Sequence, residues 1–331
     1  TVPLGGGSAA TMAYDDPHKR LIVFGGREPG GARFADTWGY CCDCDTEEML
    51  ADSIGTAINP LDIDLTEEGA CARVLAETQP THIVHLAGAA SVGAAAQAVA
   101  ETWKANFHMT FALAEAAAAM AAPPRFVLAS SGEVYGATAR EAALLSEDMP
   151  LRPAGVYART KAAAEMAVGD LMGRSGAAIL RLFNSIGPGQ DERFVAGAFA
   201  AQVARIEAGL APPVLRVGNL DSVRDFIDAA DTAEAIRRVL DTLDGDGPGV
   251  AVFNVCSGEG RSIASLVEDL KALAARPFEV ETDPARARPS EIPRAVGDNA
   301  RLRARTGWSP ATPWRATLQR TLDDWRARLK R

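Results

Sequence analysis

The sequence predicts an α/β protein: a Rossmann-type, doubly wound parallel sheet with a smaller, partly interleaved C-terminal substrate domain. Three observations carry that expectation. Short, nearly continuous apolar runs recur along the chain, as in strands covered on both faces. Alanine-rich stretches of helical character lie between them, and such alternation builds doubly wound sheets. The chain has 331 residues, 47% of them hydrophobic, enough for about two domains with ordinary globular cores.

In chain order, the run Leu21-Ile-Val-Phe24 is the first expected strand, followed by strands over 82–86, 125–129, 178–183 and 250–255. Helices are expected over 70–78, 94–121, 157–173, 194–208 and 232–242. After about Phe183 the pattern loosens. Gly187-Pro-Gly189, Pro212-Pro213 and Arg288-Pro289 separate shorter elements there, since proline and glycine interrupt both kinds of ladder. No internal repeat is visible.

Acidic residues outnumber basic ones, 43 to 34, for a net charge of −9. A general nucleic-acid or membrane-surface partner would need a basic face, so neither is expected. The alanine-rich stretch 112–122 falls short of the roughly 20 apolar residues of a membrane span. The opening Thr-Val-Pro-Leu-Gly has no charged segment leading into an apolar one, so no secretory signal is expected. Of the five cysteines, Cys41, Cys42 and Cys44 crowd together, but no His or Cys pair stands at a zinc-finger distance. The expectation is a reduced, cytoplasmic protein without a metal site.

The chemistry concentrates in Tyr157-Ala-Arg-Thr-Lys161 at the start of a helix, with Ser130-Ser131 just past the strand over 125–129. Tyrosine and lysine four apart share a helix face. Free tyrosine, with a pKa near 10, is a poor proton donor or acceptor at neutral pH. A neighbouring ammonium favours the phenolate and brings it into range. A serine hydroxyl at the adjacent strand end could orient a carbonyl or alcohol. A lone Tyr-x-x-x-Lys arises by chance in many helices; the parallel-sheet pattern and the upstream serine are what give this one weight.

Several segments carry a resemblance, in order along the chain: His85-Leu-Ala-Gly-Ala-Ala-Ser-Val92, Ser130-Ser-Gly-Glu-Val-Tyr-Gly136, Tyr157 to Lys161, Arg181-Leu-Phe-Asn-Ser-Ile-Gly-Pro-Gly-Gln190 and Val223-Arg-Asp-Phe226. Phe253 to Gly258, Arg288 to Pro293 and Val296 to Trp308 complete the set. On these the chain resembles the extended short-chain dehydrogenase/reductases, the NAD-dependent sugar-nucleotide epimerase/dehydratase family. The resemblance implies an NAD(P)(H) enzyme, NAD versus NADP undecided, acting on a nucleotide-diphosphate sugar that is GDP-linked.

Segments 184–190, 216–226 and 288–293 are most similar to the reductases of GDP-4-dehydro-6-deoxyhexoses, which reduce the C4 ketone to form GDP-D-rhamnose. The alternative is a GDP-mannose 4,6-dehydratase or a related epimerase. By resemblance Tyr157 is the general acid, Lys161 binds the nicotinamide ribose and lowers the tyrosine pKa, and Ser131 holds the C4 oxygen. Glu133 stands where the dehydratases carry their base. Asp64 and Leu65 are placed near the adenine, and Ala87 and Gly88 along the cofactor. Asn184, Arg224, Arg288 and Glu291 are placed at the substrate. Asn106 resembles the family's helix asparagine, either catalytic or a satisfied backbone partner. For Arg224 the plainer reading is an ion pair with Asp225 or Asp228. The implied organisation is an extension over 1–19, a dinucleotide-binding domain over 20–183 and a substrate domain over 184–331, with 214–258 partly returning to the first. A homodimer through the helices over 94–121 and 157–173 is also implied.

The chain departs from the family at the glycine loop. Gly-x-x-Gly-x-x-Gly lets the backbone approach a pyrophosphate over a helix N-terminus. Here Gly25, Gly26 and Gly31 frame the loop, but Glu28 and Pro29 occupy its centre. Residues 8–38 instead resemble one kelch repeat, and a single blade cannot bury its own faces. Either the segment serves as the first Rossmann strand and turn, or the chain is a fusion that lost its native loop. Asp43 or Asp45 would then end the second strand. A catalytically silent nucleotide-sugar-binding protein and a kelch-type interaction module are the competing readings.

Overall fold

The structure, a computed structural model, describes residues 10–16, 19–25, 64–90, 92–245, 247–285 and 292–330. The strands are β1 Ala10–Asp16, β2 Lys19–Gly25, β3 His82–His85, β4 Arg125–Ser131, β5 Ala177–Leu182, β6 Asn184–Ile186, β7 Val214–Val217, β8 Val223–Asp228, β9 Val250–Val255, β10 Gly260–Ser262, β11 Glu279–Thr282 and β12 Arg294–Ala295. The principal helices are α1 Ala70–Thr78, α2 Met109–Ala118, α3 Gly155–Met172, α4 Val195–Glu207, α5 Ala229–Leu243, α6 Ile263–Leu273, α7 Ala300–Thr306 and α8 Trp314–Arg328.

One sheet runs in the order β1-β2-β3-β4-β5-β9. Every neighbouring pair is parallel except β1 with β2. All five expected strands are in this sheet. The run 21–24 lies in β2, paired residue for residue with β3. β1 was not expected; its stretch looked like part of a kelch blade, and it caps the sheet as an antiparallel edge. Helices cover both faces. Side chains of α5, with Trp308, pack on one face against Val127, Leu180 and Val255. Those of α1, α2 and α3 pack on the other against Ile83, Phe126 and Ile179. That two-sided burial is why the strands read as continuous apolar runs.

Two expectations need correcting. The single helix over 94–121 is divided into turns Val92–Ala95 and Val99–Trp103, a π-helical turn Lys104–His108, and α2. Ala98 leaves helical geometry (φ −126°, ψ 65°), a break that an unbroken alanine pattern hides. The loosened region after Phe183 also holds α6, α7 and α8, which were not anticipated. A second sheet, β10-β8-β12 with β6 also on β8, and a β11-β7 pair lie there. They enclose a separate apolar core with Phe199, Leu266 and Leu322. Helix α5 starts three residues earlier than expected, because the Asp228 carboxylate accepts the Ala230 N–H (2.8 Å) as its cap. Among the described residues no helix is long and apolar enough to cross a membrane, and no cluster of side chains suits a metal ion.

Candidate active site

The carboxyl ends of β3 and β4 and the first turns of α3 converge, as the fold places ligand sites in open parallel sheets. Ser130 and Ser131 are the last two residues of β4 rather than residues beyond it. The Ser131 hydroxyl accepts the Glu133 N–H (3.2 Å) and so caps the short turn that carries Glu133. Tyr157, Lys161 and Glu165 succeed one another at four-residue spacing on α3, and all three are buried.

Lys161 is 2% exposed, and its Nζ donates to the Ala129 carbonyl (3.0 Å) at the end of β4. It also closes on the bend after β3. A Cβ on Gly88 would lie 3.3 Å from Lys161 Nζ and 2.7 Å from Asn106 Oδ1, so only glycine fits that cradle. The π-helical turn aims Asn106 inward, where Oδ1 accepts the Ala89 N–H (2.7 Å) and Nδ2 donates to Thr160 (2.9 Å). Thr160 in turn donates to the Tyr157 carbonyl (2.8 Å). Asn106 is thus the satisfied partner of backbone and hydroxyl, tying the β3 bend to the first turn of α3. Behind it, the Thr110 hydroxyl donates to the Asn106 carbonyl (2.7 Å) and pairs with His85 Nε2 (3.0 Å). Burial and the Lys161 cation hold the His85 imidazole down at about 3.

A cavity of about 200 Å³ opens beside this layer, walled in part by Glu133, Tyr157, Asn184, Gln190, Arg193 and Phe226. Burial pushes the Glu133 carboxyl above the usual carboxylate range, opposed by the Arg224 guanidinium. Burial likewise lowers Arg224, opposed by Glu133. The expected alternative partners of Arg224 are engaged elsewhere. Asp225 accepts from Ser257 N and Oγ and from Gly258 N (2.8, 2.6 and 2.9 Å). Asp228 takes Thr317 (2.6 Å) and Arg320.

A polar row crosses three strands at one level. Ser130, Arg181 and Asn254 are register partners on β4, β5 and β9. Arg181 grips Glu165 (2.8 Å from Nη2 to Oε2), and Ser130 donates to the same carboxylate. Arg181 also donates to the Tyr135 hydroxyl (3.0 Å), which donates to Asn254 Oδ1 (2.7 Å).

The structure therefore brings Glu133, Tyr157 and Asn184 to one cavity, sets Ser131 and Arg224 against Glu133, and gathers Gly88 with Lys161. Ala87 lies buried in the apolar layer next to Gly88. Leu65 lies in the apolar core, and Asp64 Oδ1 accepts from Thr66 N and Oγ1 (2.8 and 2.7 Å), closing a local turn. Asn184 was expected to donate to substrate, yet its Nδ2 donates to the Asp225 carbonyl (2.9 Å). Gly25 ends β2; Gly26, Gly31, Arg288 and Glu291 lie outside the described residues, as do Glu28, Asp43 and Asp45. Thr160, Glu165, Gln190 and Asn254 went unassigned in the sequence. Thr160, Gln190 and Asn254 lie in segments that carry the resemblance, and the four-residue step from Lys161 was the signal for Glu165.

Comparison with known proteins agrees with this geometry. The family model described as GDP-mannose 4,6 dehydratase matches residues 46–321. The GDP-6-deoxy-D-mannose reductase of Pseudomonas aeruginosa is 38% identical over 253 residues, which are 76% of this chain and 82% of that one. The UDP-glucose 4-epimerase of Bacillus subtilis is 27% identical, over 80% of this chain and 79% of its own. The solved structure of RMD from Pseudomonas aeruginosa complexed with NADPH superposes with a TM-score of 0.76 at 33% identity, covering 86% of this chain and 96% of that one. With its parallel sheet, its Tyr-x-x-x-Lys helix and a family match over most of its length, the chain belongs to the GDP-mannose 4,6-dehydratase family of extended short-chain dehydrogenase/reductases.

Proposed function

We propose that the protein is an NAD(P)-dependent nucleotide-sugar oxidoreductase that reduces the C4 ketone of a GDP-linked 4-dehydro-6-deoxyhexose to GDP-D-rhamnose. The observation that carries this reading is the cavity wall on which Tyr157 and Glu133 meet, in a chain that shares 38% identity with a GDP-6-deoxy-D-mannose reductase. The residues fit a nicotinamide cofactor: Gly88 lets the bend after β3 pack closely on Asn106 and Lys161, which fixes Lys161 at the carboxyl end of the sheet. Lys161 and the backbone around Gly88 would hold the cofactor, which when bound supplies a hydride.

Tyr157 donates its phenolic proton to the C4 oxygen as that oxygen gains charge, so ketone becomes alcohol. The Lys161 ammonium, one turn along the helix, stabilises the phenolate left behind, and the start of α3 adds the favourable end of the helix dipole. Ser131 holds the C4 oxygen. Arg224, held near Glu133, faces the anionic part of the substrate, with Arg288 and Glu291 as further contacts. General acid catalysis of this kind contributes about 10²–10⁴ in rate.

A second reading, dehydration of GDP-mannose, draws on the buried Glu133 carboxyl in the same cavity as a base. Assembly as a homodimer is supported by Phe111 on α2 and Met166 on α3, exposed apolar side chains on adjacent helices.

Purified protein with NADPH and the 4-dehydro-6-deoxy sugar nucleotide is expected to consume both in equal amounts. Tyr157→Phe should lower turnover about 10²–10⁴-fold while nucleotide binding and thermal stability hold. Retained activity in Tyr157→Phe would remove the assigned acid. Loss of water from GDP-mannose without ketone reduction would instead favour the second reading.

A further inference from the structure

Two amide side chains wall the cavity, Asn184 on β6 and Gln190 in the loop that follows. Each turns its nitrogen away to a backbone carbonyl. Asn184 Nδ2 donates to Asp225 O (2.9 Å), and Gln190 Nε2 donates to Ser185 O (2.8 Å). These bonds fix the orientation of both amides, because a flipped amide would set oxygen against oxygen at the same distance. Gln190 is 4% exposed, and no donor among the described residues reaches its Oε1. None reaches Asn184 Oδ1 either. A buried acceptor left without a donor costs about 1–3 kcal/mol, and a native structure that keeps such a group has a reason for it, a functional role among them.

Phe226 lines the same cavity and gives it an apolar side. A guanine or phosphate would not be selected by an amide oxygen beside Tyr157: phosphate offers acceptors, and the base lies a diphosphate away from the reacting carbon. Sugar hydroxyls offer donors at the required place.

We propose that Gln190 is a specificity-determining residue whose Oε1 accepts a hydroxyl of the hexose, with Asn184 Oδ1 as a second acceptor on the same wall. The inference rests on the reading of this cavity as the nucleotide-sugar site. It predicts that the enzyme distinguishes sugars by the hydroxyls next to the reacting carbon, and that a deoxy sugar lacking the matched hydroxyl leaves Gln190 unpaired and is rejected.

The test is a thermodynamic cycle. Calorimetric titration measures GDP, GDP-mannose and GDP-mannose analogues lacking single hydroxyls, on the wild-type chain and on Gln190→Met, whose side chain is of similar size. In the wild type, one deoxy analogue should bind about tenfold more weakly than the parent. In Gln190→Met that difference should vanish, with GDP affinity unchanged within about twofold. Gln190→Leu, which also lacks an acceptor, should lose the discrimination in the same way, and serves where Gln190→Met fails to fold. The proposal is overturned if every deoxy analogue binds the wild type as well as the parent does, or if the tenfold loss persists in Gln190→Met. Should the wild type bind no guanine nucleotide but bind a uridine or thymidine sugar nucleotide, the choice of base under the proposed function fails. The same cycle on that sugar then decides the role of Gln190.

Discussion

His85 shows how one buried side chain links the site to solution conditions. Its Nε2 carries the hydrogen, since the Thr110 hydroxyl already donates to the Asn106 carbonyl. The imidazole sits at about 3 in the folded protein and near 6.5 when unfolded. Between those values the unfolded chain binds the extra proton. The contribution to stability is therefore complete above the unfolded value and falls as pH drops through the window, by about 1.4 kcal/mol per unit. His85→Gln keeps a donor for Thr110 and removes the titration. Urea unfolding from pH 7 down to pH 4 should show a shallower loss of stability in His85→Gln than in the wild type. Equal slopes would mean the imidazole is not held neutral. At this scale the sequence was partly legible. Tyr157 and Lys161 announce themselves through spacing and chemistry. Gln190 and Asn254 acquire meaning only when distant carbonyls and hydroxyls come within reach, and no local pattern encodes that.

At the scale of elements, the π-helical turn Lys104–His108 matters most. Such turns place one extra residue in the helix wall and recur at functional positions. Here the turn delivers Asn106 to both the β3 bend and Thr160 on α3. The expected uninterrupted helix over 94–121 missed it, because nothing in Lys104-Ala-Asn-Phe-His108 marks a π-helical turn apart from an α-helical one. The bend itself tolerates no side chain. Gly88→Ala should displace Asn106 or Lys161, cost about 1–3 kcal/mol of stability and weaken NADPH binding about tenfold. Fluorescence titration of the cofactor and denaturant melts would check the two effects separately. Unchanged cofactor affinity would place the nicotinamide away from this bend. The parallel strands of the main sheet were legible to within about two residues at each end, since burial on both faces imposes a continuous apolar run; the short strands outside that sheet were not. Beyond Phe183, α4 and α5 were legible too, but α6, α7 and α8 were not; α8, with its many charged residues, buries only the narrow stripe marked by Leu318, Leu322 and Trp325.

For the molecule as a whole, the Glu165–Arg181 pair binds α3, β4 and β5 together, and through Tyr135 reaches β9. Both side chains are nearly inaccessible to water, so breaking the pair strands a buried charge. Glu165→Leu should cost about 3–5 kcal/mol. The double variant with Arg181→Met should lose less than the sum of the single changes, which equilibrium unfolding can measure. Strict additivity would show that the two charges do not depend on each other. We also propose the division at residue 183 as the boundary between a cofactor-binding and a substrate-binding part, supported by the separate apolar core around Phe199 and Leu266.

The chain crosses that boundary repeatedly. β9 completes the main sheet beside β5, yet it is synthesised only after β6, β7, β8 and α5. A growing chain that has emerged only as far as Leu182 therefore carries β5 as an unprotected edge, with apolar side chains on both faces, a template for pairing with another chain. The first part cannot close until the chain has passed through β6, β7 and β8 of the second. Translation order and sheet order are out of step. Expression of residues 1–183 alone would yield an aggregation-prone fragment rather than an independent cofactor-binding module.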